Sequence, residues 1–324
     1  MGYKTVALPV EHGGWGLLLE PLALGLAAAP SGAGCAVAAA ALAAFLTRHP
    51  LKLLASDLIA RRHTSRTTRA LAFAASYAAA GLLCLMAAIQ LSAASVLLPA
   101  VVVAPLAFTQ LGFDVRNRSR GLVPEICGSL ALAASAASIG LAAGWPPGAA
   151  TTLSMVAAAR TVPAVLTVRT QVLRLRGAEV SPVSPSVAQA TALATIAALA
   201  AVGAVPASIV WIWTALTARG LWSLHGSPRR VRPQRIGIEE LVVGLLIALA
   251  SGLLFPSYQA RITATTSTTP ATRPARGYAV APAASMVNTV TTNARGPIGH
   301  SNPSTMRSRS RSSVHRRPTS APIR

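Results

Sequence analysis

Nine uncharged or nearly uncharged apolar blocks divide this chain, and several approach the ~20 residues that carry a helix across a hydrocarbon core. They span roughly 13–29, 34–47, 70–91, 95–113, 121–144, 149–170, 187–204, 207–223 and 238–255. Charged residues make up only 11% of the sequence, against about 25% in soluble domains, and the mean hydropathy is +0.53. A water-exposed surface cannot be built from this composition, so a soluble enzyme is excluded. The expected fold is all-α: a multi-spanning membrane helical bundle of about nine transmembrane helices. Alanine dominates every block, which favours close helix packing through small residues.

The short connections carry a strict charge pattern. Arg48, Lys52, Arg61, Arg62, Arg66 and Arg69 lie between blocks two and three, and Arg116, Arg118 and Arg120 between four and five. Arg174 and Arg176 follow block six, and Arg229, Arg230, Arg232 and Arg235 separate eight from nine. The alternate connections near 29–33, 90–94, 145–148 and 203–206 hold no Lys or Arg. By the positive-inside rule the N-terminus and the basic loops are expected in the cytoplasm and the bare loops outside. The first block carries Glu20 and no convincing cleavage site, so it is expected to stay as a membrane helix.

The formal charge of +21 suggests a nucleic-acid partner until it is divided along the chain. Residues 257–324 hold ten arginines and no acid, whereas the basic residues of 1–256 sit where topology signals sit. No nucleic acid is expected as a partner; membrane lipids are. Rich in Thr, Ser, Pro and Arg, 257–324 cannot bury a core and is expected to be a disordered tail, extracytoplasmic by parity, after a transmembrane domain of 1–256. The three cysteines, Cys35, Cys84 and Cys127, show no metal-ligand spacing. A nucleophilic triad, a phosphate-cradling glycine motif and a dinucleotide fingerprint are all missing, and no cofactor is expected.

Ionisable residues inside apolar blocks are costly and usually line a cavity. Glu20, Glu125, Arg160 and Arg219 are of this kind. Counted from the cytoplasmic ends of blocks one and six, Glu20 and Arg160 both lie about 14 Å deep at 1.5 Å per residue. They are therefore expected to share one polar pocket and to stabilise each other's charge, with Glu125 as the second-choice partner for Arg160. Pro163 should kink block six and free a backbone carbonyl. Glu239 and Glu240 read as acids at a helix N-terminus, and Arg219 as a snorkelling side chain. Glu11 and His12, ahead of Gly13, Gly14 and Trp15, read either as a plain helix start or as the rim of a cytoplasm-facing cavity.

The segment Glu11-His12-Gly13-x-Trp15-Gly16 resembles the opening of the YwiC-like family of bacterial membrane proteins. Arg48-x-Pro50-Leu51, Arg120 with Pro124-Glu125, Arg160-x-x-Pro163 and Val168-Arg169 extend the resemblance over about 8–255. It implies a bacterial cell membrane location and no particular reaction. More distantly, nine spans with polar loops after spans two and six are similar to the UbiA-type prenyltransferase superfamily. There the two loops carry Asp-rich motifs that hold magnesium and a prenyl diphosphate. Here the loop after span two has one acid, Asp57, and the loop after span six has Glu179, beside Arg169, Arg174 and Arg176. One carboxylate per loop argues against magnesium.

What the residues leave is a charge-inverted site. Arg62, Arg66 and Arg69 would line one face if 51–69 is helical, and Asp57 would pair with Arg61 four residues on. With Arg48, Arg120, Arg169 and Arg174 they could bind an anion directly through guanidinium forks, or simply mark the cytoplasmic side. The first reading is an enzyme acting on an anionic isoprenoid or lipid. The alternatives are a transporter or binding protein for a small anion, against which the lack of a convincing inverted repeat between 1–120 and 121–255 weighs, and a non-catalytic membrane scaffold.

Overall fold

A computed structural model describes residues 4–8, 12–61, 64–116, 118, 121–226 and 232–267, with side chains up to 256; His12 and Gly13 and the first residues of 4–8 are described in backbone only. A four-residue turn of helix, α1 (Lys4–Ala7), precedes nine long helices: α2 (His12–Ala28), α3 (Gly32–Ile59), α4 (Ser65–Leu91), α5 (Leu98–Val115), α6 (Leu122–Ala142), α7 (Pro147–Leu175), α8 (Val183–Ala201), α9 (Ser208–His225) and α10 (Pro233–Ser267). Each of the nine apolar blocks becomes one helix, and no strand occurs among the described residues. Seven of them are long and apolar enough to cross a membrane, and Gly14–Ala28 is a shorter apolar helix. The chain is a multi-pass membrane protein.

The expected block 34–47 is the largest departure. The helix there runs from Gly32 to Ile59, straight through Pro50, because a membrane helix can continue past its apolar core when its end is polar. At ~1.5 Å per residue it is about 42 Å long, more than a ~30 Å hydrocarbon core needs. The basic loops after blocks two and six are thus largely helical: Asp57 lies in the last turns of α3, and Arg169 and Arg174 lie in α7. α3 ends at Ala60, Arg61 takes a positive φ of 50°, and α4 begins at Ser65. No single helix covers 51–69: of the expected face, Arg66 and Arg69 lie three residues apart in α4, and Arg62 is outside the described residues. α10 runs past 256 to Ser267. The tail beyond it is also outside the described residues.

α2 is the hinge of the packing. It lies against α10, α6 and α7 and touches α3, while α3 pairs with α4 and α5 with α6. Two apolar cores result. Leu18 and Leu22 of α2 join Val37, Phe45 and Ile139 in one; Leu24 and Ala28 join Leu153, Val156, Ile196, Trp213 and Phe255 in the other. α4 and α5 turn Leu82, Leu83, Val101, Val102 and Phe108 outward, as lipid-facing helices do. Hydroxyls inside the bundle bond to carbonyls four residues back, as Thr152 does to Gly148 (3.0 Å), or across to a neighbour, as Ser154 does to Ala133 (3.1 Å).

Candidate functional site

Four charged side chains from four helices form a chain of ion pairs that runs from the buried second core to a part-exposed end at Arg219. Glu20 (α2) and Arg160 (α7) are 7% and 6% exposed, buried deeply enough that each needs the other. Arg160 Nε stands 3.7 Å from Glu20 Oε2, and Arg160 Nη2 donates to Glu240 Oε2 of α10 at 3.1 Å. Glu240 in turn accepts from Arg219 Nη1 of α9 at 2.6 Å. The chain of charge runs Glu20, Arg160, Glu240, Arg219, and sums to zero with all four ionised.

Local sequence makes this meeting possible. A Cβ on Gly244 would fall 1.8 Å from Glu20 Oε1, so only a glycine there leaves room for the carboxylate between α2 and α10. Two turns further on, a Cβ on Gly252 would lie 2.7 Å from Ala27 Cβ. The two glycines let the backbones close up along one seam. Proline follows both core charges, Pro21 directly after Glu20 and Pro163 three residues after Arg160, and each removes one rung of the helix ladder.

Beside the cluster is a small cavity lined by Glu20, Leu24, Arg160, Trp213, Ile247 and Ser251, among others. Its space suits about one or two water molecules. Four polar atoms of its lining have no hydrogen-bond partner among the described residues: Glu20 Oε2, Arg160 Nε, Trp213 Nε1 and Ser251 Oγ. Trp213 and Ser251 are each 1% exposed. An indole N–H and a guanidinium N–H can only donate, and a serine hydroxyl can donate too. Three of the four atoms can thus donate, and each belongs to a residue that lines the cavity.

The remaining expected site residues stand elsewhere, mostly in pairs at the basic-loop ends of the helices. Arg48 grips Asp114 of α5 in a fork, Nε to Oδ2 at 2.5 Å and Nη2 to Oδ1 at 2.9 Å. Asp57 takes both arms of Arg66, with Nε at 3.2 Å, and the Thr67 hydroxyl at 2.9 Å, rather than the expected Arg61, whose side chain is exposed. Glu125 pairs with Arg169 at 3.2 Å and not with Arg160. Arg174 donates to the carbonyls of Val180 (3.0 Å) and Leu224, fastening the α7–α8 turn to α9. Glu11, Arg62 and Arg120 lie outside the described residues, and His12 is described only as the first residue of α2. Among the described residues no three His, Cys, Asp or Glu side chains gather as a metal site would require.

Sequence reasoning missed Asp114, Glu240, Trp213 and Ser251. Glu240 had a signal: Pro233 is the favoured first residue of a helix, and it places Glu240 two turns inside α10, beyond the N-terminal turn where the dipole explains an acid. The pattern of the YwiC-like protein family matches residues 8–140. That stretch of the chain is similar to the family. The match ends within α6, short of the 255 read from the sequence, so Glu20 falls inside it while Arg160, Trp213, Arg219, Glu240 and Ser251 lie beyond. No curated protein and no solved structure matches.

Proposed function

We propose that this YwiC-like membrane protein binds and moves a small monovalent anion, and that the cavity beside Glu20 and Arg160 is its central site. The observation that supports this reading is the set of unpartnered donors, Arg160 Nε, Trp213 Nε1 and Ser251 Oγ, around one small buried space. A halide-sized acceptor bonded to these donors would be held strongly, because charge-assisted bonds are strong in a low-dielectric interior. Water meets the same donors without the charge, which makes chloride affinity the deciding quantity. The basic helix ends, taken as cytoplasmic, would draw anions toward that face.

A UbiA-type enzyme acting on an anionic isoprenoid is the other reading. In its favour are the nine helices and the polar helical extensions after the second and sixth. It asks, however, for arginines free to take a diphosphate, and Arg48, Arg66 and Arg169 already face carboxylates. The cavity at the central charges is also far too small for such a headgroup. The small-anion reading is the one we adopt.

Purified protein reconstituted in vesicles tests it. Chloride flux should saturate, and Trp213→Phe, which keeps the ring and loses the donor, should weaken half-saturation roughly tenfold or more, as expected for a lost bond to a charged group. Equal flux from empty vesicles, or an unchanged Trp213→Phe curve, rejects the site.

A further inference from the structure

Building on that reading, we infer that the anion and one proton occupy this site together, with Glu20 carrying the proton. Charge balance within the cluster requires it. With Glu20, Glu240, Arg160 and Arg219 ionised the cluster is neutral, so an anion entering alone leaves one net negative charge deep inside the bundle. An isolated charge there is costly. Protonating one carboxylate restores neutrality, and the geometry selects which. Glu240 is held by two arginines, Arg160 at 3.1 Å and Arg219 at 2.6 Å. Glu20 lines the cavity and pairs with Arg160 alone, at 3.7 Å, and its Oε2 has no hydrogen-bond partner among the described residues.

The groups that act electrostatically on Glu20 are Arg160 from α7 and Glu240 from α10. On α6 the acid is Glu125, paired with Arg169, and on α3 Arg48 and Asp57 are paired with Asp114 and Arg66. None of these replaces Glu20 as the acceptor of the proton. A protonated Glu20 gains a hydroxyl that can donate into the cavity, turning its repelling oxygen into a fourth donor. Arg160, freed from its weak pairing with Glu20, then has Nε for the anion. The balance is one proton taken from solution onto Glu20 for each anion bound, and both are released together.

Chloride affinity of the full-length protein in detergent, measured between about pH 5 and 8, tests the coupling. In the range where free Glu20 is ionised, affinity should fall about tenfold per pH unit. Glu20→Gln should bind chloride with a flat pH profile near the acid-side affinity of the unaltered protein. Proton uptake on adding chloride to weakly buffered protein, near one per chloride, gives a second measure that needs no variant. Binding that is equally flat in both proteins, with no proton uptake, overturns the coupling and leaves the anion site standing. Absence of chloride binding at every pH in folded protein overturns the site, and the coupling with it.

Discussion

Arg160 divides its guanidinium between two carboxylates, and that sharing sets the order of damage on substitution. Arg160→Gln leaves Glu20 buried without a counter-charge, a loss of roughly 3–5 kcal/mol for a broken buried pair. Glu20→Gln should cost less, because Arg160 keeps Glu240 at 3.1 Å. The double variant should be less damaged than the two losses summed, by about 0.5–3 kcal/mol; strictly additive melting shifts in detergent would refute direct coupling. Gly244→Ala drives a methyl into Glu20 and should destabilise by about 1–3 kcal/mol, the usual overpacking range. Placing Gly244→Ala in a Glu20→Ala background should abolish that penalty, since the clashing atoms are then gone. The sequence showed Glu20 and Arg160 because a charge in an apolar block is visible and its depth can be counted. Trp213 and Ser251 left no such trace: a tryptophan and a serine in an apolar helix look like core until a neighbour fails to meet their polar atoms.

Helix pairing is where the sequence was least legible. Equal depth cannot say which helices touch, and the α2–α10 seam depends on Gly244 and Gly252, whose spacing means little until the facing helix is known. Block two was read too short because Arg48, Lys52 and Asp57 end the apolar run, whereas the backbone ladder continues to Ile59. The same continuation takes Asp57 away from Arg61 and delivers it to Arg66 across the turn. Asp114 was passed over as part of a basic loop; it is the last acid of α5 and 1% exposed, fixed by Arg48 of α3. Asp114→Asn removes the fork between helices that otherwise meet sparsely. It should lower stability by about 1.5–3 kcal/mol, the range for hydrogen bonds to charged groups, and raise the amide exchange of α5 more than that of α2. A uniform rise over both helices would show that the pair does not act locally.

At the scale of the whole molecule, seven of the described helices are long and apolar enough to span a membrane, and nine crossings would put successive connections on opposite sides. Ala93 and Arg118 flank α5, so cysteines placed at the two positions should react with an impermeant reagent from opposite faces of a vesicle. Labelling of both from one face would contradict nine crossings. Composition and loop charge made this scale the most legible, because the hydropathy of a membrane helix is carried by many residues at once. The function is not carried that way; it depends on a few atoms around one small space. The direct test is a structure of the protein determined with bromide, whose anomalous scattering marks its position. We expect one strong peak within hydrogen-bond reach, about 3.2–3.5 Å, of Trp213 Nε1, Arg160 Nε and Ser251 Oγ, strengthening in crystals grown at lower pH. A cavity that holds only water at every pH, with bromide confined to the surface, would contradict the account.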